Sequence, residues 1–186
     1  LAPSLKAAVE EADIVFTMLS TPEVVAETAT NFLPHLPKDA LWVDCSTVSP
    51  QDSLNSKQYA EQSGIRFLEA PVAGTKQPAE NGEIVFFLGG DPKDQESISD
   101  FLSVMGKKSI DMGVVGNAAK IKLLVNLMLA QSMAAFAETV KLGTAMGLSR
   151  EAIHNILLAT PVTAPFLQNV KGKLASNDTS PNFPMQ

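Results

Sequence analysis

Apolar and polar positions change rhythm partway along this chain. Up to residue 112, short apolar runs alternate with amphipathic stretches; from Gly116 onward only helical periodicity remains. The runs at 13–19, 41–44, 66–70, 83–88 and 108–112 predict buried strands. The segments 5–12, 21–34, 49–64 and 91–105 predict helices between them. Thr21-Pro22-Glu23 is a start signal: Thr as N-cap, Pro in the first turn, Glu at the end where the helix dipole favours an anion. Ser49-Pro50 opens the next helix in the same way, and 71–82 reads as a long loop. Strand and helix in alternation predict a mostly parallel sheet covered on both faces.

The later region is entered through 116–143, which runs for over twenty residues in Ala, Leu, Met and Lys without a break. Further helices are predicted over 149–158 and 164–174, followed by an aperiodic tail over 177–186. No charged residue falls between Lys122 and Glu138, so this helix is expected to be wrapped by protein on nearly every side. Lys122 and Asn126, four apart, project from one face of it. An ammonium held against apolar neighbours loses hydration, and its pKa falls toward the range where it can donate and accept protons. Lys122 reads equally well with Lys120 as part of a solvated stripe, its stem snorkelling over apolar surface. The amide of Asn126 needs a partner in such surroundings.

Composition narrows the function classes. With 45% apolar and 18% charged residues the 186-residue chain can build a sizeable core. A net charge of −6 without a basic stripe argues against a nucleic-acid partner. No uninterrupted apolar run long enough for a bilayer is expected, so no membrane partner is expected either. The lone Cys45 fits a reducing, cytoplasmic setting. His35 and His154, far apart and outside any ligand-like spacing, leave no metal site.

In parallel sheets ligands bind beyond the carboxyl ends of strands. Three loops qualify: Met18-Leu19-Ser20, Asp44-Cys45-Ser46-Thr47, and Ala70-Pro71-Val72-Ala73-Gly74-Thr75-Lys76. Small hydroxyl and glycine loops present backbone N–H groups to an anion such as a carboxylate. Read singly, the Ser46–Thr47 stretch is equally a helix cap and Pro71 with Gly74 equally a turn. Gly89-Gly90 reads as a turn before a helix, and no G-x-G-x-x-G occurs.

The order DCSTVSP, EAPVAGTKQPAENGEIVFFLGGD, VGNAAKIKLLVNLMLA resembles the β-hydroxyacid dehydrogenase family over essentially the whole chain. KQPAENGE and GNAAKIKLLVN are similar to its glyoxylate/succinic semialdehyde reductase branch. The resemblance implies an α/β fold: an incomplete Rossmann-type parallel sheet over 1–115, lacking the first βαβ unit, then part of an all-α domain over 116–186. It implies a chain truncated at both ends, without the glycine-rich pyrophosphate turn, so the isolated piece is expected to be inactive. It also implies an NADP- or NAD-dependent oxidoreductase, NADP slightly favoured, acting on a small carboxylate substrate as a homodimer or homotetramer. Lys122 with Asn126 matches the family's catalytic pair; Ser46, Ala73, Gly74 and Thr75 match substrate-binding positions, and Met18, Leu19, Ser20 and Thr47 cofactor-binding ones. The family usually has Ser-Gly-Gly or Ser-Gly-Ser where this chain has Ala73-Gly74-Thr75, so one substrate hydroxyl contact is lost or moved to Thr75. Two other readings are a 6-phosphogluconate dehydrogenase, whose helix places His where Val125 stands, and a non-catalytic dehydrogenase-like oligomerisation or binding module.

Overall fold

The computed structural model describes residues 1–169 and 171–176, so the expected aperiodic tail lies outside the described residues. Helix α1 (Leu5–Val9) leads into strand β1 (Ile14–Thr17). Helix α2 (Pro22–Phe32) follows, capped by the Thr21 hydroxyl, which accepts from the Val24 N–H at 3.3 Å. A 3-10 turn (Leu33–His35) brings the chain to β2 (Leu41–Asp44). Helix α3 (Pro50–Gln62) starts on a capping box in which Ser49 and Asp52 satisfy each other's N–H groups. Strand β3 (Arg66–Glu69) completes a three-stranded parallel sheet in the order β1-β2-β3.

The segment expected as a long loop holds two elements, β4 (Val72–Ala73) and α4 (Lys76–Glu80). Strand β5 (Ile84–Leu88) pairs antiparallel with β4, and an antiparallel bridge joins Glu69 to Gly89. Only residues 74–83 lie between β4 and β5, fewer than the dozen or more a parallel crossover needs, so β5 folds back on β4 as a hairpin. Helices α5 (Pro92–Ser97) and α6 (Ser99–Met105), expected as one, break at Ile98, and β6 (Gly106–Asp111) pairs parallel with β5. The sheets are thus mostly parallel, as expected, with the antiparallel pairing confined to the β3–β5 stretch. The period of two sends Leu41 and Val43 into a core with Leu68, Phe86, Ile98 and Leu102. Trp42 goes into the opposite core with Phe32 and Phe67, meeting both rings edge-on at 5.4 and 4.9 Å.

Helix α7 spans Asn117–Ala145, then α8 (Arg150–Leu158), α9 (Phe166–Asn169) and α10 (Lys171–Ser176) complete the described chain. The helix expected over 164–174 is represented by α9 and α10, and residue 170 between them lies outside the described residues. Contacts place Leu1–Leu124 in one compact unit and start a second at Val125. The division falls inside α7 rather than before Gly116, because the first turns of that helix are hydrogen-bonded to β3. Within the second unit, Phe136, Val140, Ile153, Leu158 and Leu167 form a small core.

Two expectations about α7 fail. It is not wrapped on nearly every side: Leu123, Leu124, Leu127 and Met128 are exposed. A helix with so few charges needs cover that the described residues do not supply. Nor is an apolar run of bilayer length absent, since α7 is long and apolar enough to cross a membrane by length and composition.

Candidate active site

Strands β1 and β2 end side by side, and buried hydrogen bonds join their tips. The Thr17 hydroxyl donates to Asp44 Oδ1 at 2.8 Å and accepts from Trp42 Nε1 at 2.7 Å. The same carboxylate oxygen takes the Ser46 N–H at 3.1 Å, and Ser46 Oγ accepts the Leu19 N–H at 2.9 Å. The fold thus ties the Met18–Ser20 loop to the Ser46–Thr47 loop through Leu19 and Ser46. Met18, Ser20 and Thr47 are exposed, offering an apolar side chain beside two hydroxyls. That set suits the ring and ribose of a dinucleotide lying across two adjacent strand ends. Ser46, expected to meet substrate, is buried and accepts the Leu19 N–H.

Burial pushes the Asp44 carboxyl above its usual value, against hydrogen bonds from Ser46 and Thr17 that lower it. Burial, then the neighbouring Asp44 charge, push the Cys45 thiol up to about 12, which makes it inert as a nucleophile. Among the described residues no group of side chains could hold a metal ion.

The third loop is built by close approach. Gly74 adopts φ +147°, and a Cβ there would sit 2.8 Å from Ile84 Cγ2. Thr75 occupies the N-cap position of α4 without capping it, so its hydroxyl is not spent on the helix. Gly74 and Thr75 are exposed and Ala73 is half-buried.

Between these loops and α7 stands a residue that pattern reading passed over. Glu69, the last residue of β3, is 2% exposed. Its Oε1 accepts the N–H groups of Gly116 at 2.6 Å and Ala118 at 2.8 Å, and its Oε2 accepts the Ser53 hydroxyl at 2.5 Å. Burial still raises its pKa above the usual 4.5, outweighing Ser53 and the Ala118, Gly116 and Ala119 amides. A lone carboxylate closing the apolar strand 66–69 was the available signal, since such a charge must find donors.

On α7, Lys122 is half-buried, and desolvation lowers its pKa from 10.5. It forms no ion pair among the described residues. Lys120, its neighbour in sequence, is exposed and donates to Asn117 Oδ1 at 3.1 Å. The solvated-stripe reading therefore suits Lys120, not Lys122. Asn126 follows one turn after Lys122, half-exposed, so water can serve its amide.

The first 116 residues match the family model described as the NAD binding domain of 6-phosphogluconate dehydrogenase. The chain is 33% identical over 178 residues to the chloroplastic glyoxylate/succinic semialdehyde reductase 2 of Arabidopsis thaliana, covering 94% of itself and 49% of that protein. It is 32% identical over 178 residues to the cytokine-like nuclear factor N-PAC of Mus musculus, covering 94% of itself and 33% of the relative. Among solved structures, it superposes on Mycobacterium tuberculosis 3-hydroxyisobutyrate dehydrogenase with L-serine, with a TM-score of 0.84 at 30% identity. That match covers 97% of this chain and 65% of the other. The chain thus spans about half the length of the plant relative.

Proposed function

Because this chain belongs to the β-hydroxyacid dehydrogenase family, through a domain of the 6-phosphogluconate dehydrogenase NAD-binding type, we propose that the protein carrying it is an NAD(P)-dependent oxidoreductase. Its substrates are small carboxylate-bearing aldehydes or β-hydroxyacids of the glyoxylate, succinic semialdehyde or 3-hydroxyisobutyrate type. Lys122 is the general acid/base. The observation that carries this reading is the half-buried ammonium of Lys122, without an ion pair among the described residues, its pKa depressed, one helical turn before Asn126.

Met18, Leu19, Ser20 and Thr47 would hold the cofactor across the ends of β1 and β2, with Ser46 keeping the two loops together. When bound, a nicotinamide supplies or accepts the hydride. Lys122 Nζ gives a proton to the substrate oxygen as the carbonyl becomes a hydroxyl, and takes one back in the oxidative direction. Its positive charge also steadies the developing alkoxide. The turn at Ala73, Gly74 and Thr75 receives the carboxylate through backbone N–H groups and the free Thr75 hydroxyl. The exposed apolar row on α7 supports a homodimer or homotetramer in which a second copy covers it.

The test is loss of reduced-nicotinamide absorbance by the full-length protein, with NADPH or NADH against glyoxylate and succinic semialdehyde, and the reverse assay with 3-hydroxyisobutyrate. Lys122→Ala should abolish turnover while cofactor binding persists. Full activity in that variant would overturn the role given to Lys122. The likeness to a nuclear factor favours a second reading, a binding module without turnover. An unreactive wild-type protein across the whole screen would decide for it.

A further inference from the structure

Helix α7 begins without a cap of its own. The residue before Asn117 is Gly116, at φ +97°, which has no side chain to accept the first N–H groups of the helix. The acceptor comes from 47 residues earlier in the chain: Glu69 Oε1 takes the Gly116 and Ala118 N–H groups together. Ser53 of α3 holds the other carboxylate oxygen. Behind it, Gly89 pairs with Glu69 through backbone bonds of 3.0 and 2.9 Å, and a Cβ at position 89 would lie 2.3 Å from Oε1. The carboxylate is therefore gripped on three sides.

Its location links two halves of the candidate site. Glu69 ends the strand that runs through Ala70 and Pro71 into β4 and the Gly74–Thr75 turn. Ala118, which it holds, lies four residues before Lys122 and so on the same face of α7, one turn away. Resting on the reading of Lys122 given above, we propose that Glu69 is a positioning residue. It fixes the height and rotation of the first turns of α7 against β3, and with them the place of the Lys122 amine relative to the substrate turn.

The experiment compares wild type, Lys122→Ala, Glu69→Gln and Gly89→Ala in the full-length protein, by steady-state kinetics and amide hydrogen exchange. Glu69→Gln keeps the shape of the side chain but weakens both N–H bonds. It should lower kcat by about tenfold to a hundredfold, the scale expected when a catalytic group shifts by an ångström or less. Cofactor KM should hold, and exchange should rise at 116–119 while other protected amides stay slow. Gly89→Ala, which crowds the carboxylate without removing it, should reproduce that pattern. A Glu69→Gln enzyme with wild-type kcat would overturn the proposal. So would a fall in kcat with exchange raised throughout the unit, since that marks general destabilisation. An inactive wild type or an active Lys122→Ala would instead sink the underlying reading, so the two failures are distinct.

Discussion

Replacing Thr17 by Val tests whether the buried bonds at the tips of β1 and β2 hold the first unit together. Valine has the shape of threonine but neither donates nor accepts. The Trp42 Nε1–H, in a ring with no solvent exposure, loses its 2.7 Å acceptor, and Asp44 Oδ1 loses its 2.8 Å donor. A buried donor left without a partner costs about 1–3 kcal/mol, and a lost hydrogen bond to a charged group about 1.5–3 kcal/mol. The added methyl recovers about 0.8 kcal/mol, so a net loss of about 2–5 kcal/mol is expected. At a urea m-value of about 2 kcal/mol/M, the unfolding midpoint should drop by about 1–2.5 M. The emission of Trp42, the sole tryptophan of the chain, reports on the same place. Thr17→Ser, which keeps the hydroxyl, should lose about 1 kcal/mol, on the scale of one methyl group. A Thr17→Val midpoint indistinguishable from wild type would refute the accounting and leave the Met18–Ser20 loop without its anchor.

Two further outcomes follow from the same geometry. Because burial depresses the Lys122 pKa below 10.5, the unfolded chain binds the proton more tightly. Stability should therefore rise with pH from the depressed value up to 10.5; Lys122→Met should be more stable than wild type at neutral pH and lack that rise in chemical denaturation across pH. Gly74→Ala places a Cβ 2.8 Å from Ile84 Cγ2 at a φ of +147° and should cost about 1–3 kcal/mol. Calorimetry should show a fall in melting temperature, whereas an unchanged value would mean that the turn can relax.

Much of the architecture was legible because its signals are local. Thr21, Ser49 and Asp91 each accept an N–H within three residues, so the starts of α2, α3 and α5 are written into short stretches of chain. Strand β2 lies where its apolar run ends, at Asp44. The order of three motifs pointed to the family, and with it to Lys122, Asn126 and the loops at the strand ends. The break at Ile98 and the short α4 escaped, because segments with adequate helix formers show no local sign of where tertiary packing stops them.

The sequence by itself determined where most elements begin, that the chain passes from strand-and-helix alternation to helices alone, and which lysine shares a face with Asn126. Tertiary structure alone decided the direction of β5, the burial of Ser46, the exposure of the apolar row on α7 and the capture of the α7 amides by Glu69. The physical reason is range. A cap or a helical face is settled among residues a turn apart. A carboxylate that serves amides 47 residues later acquires its partners only when the sheet has placed both ends.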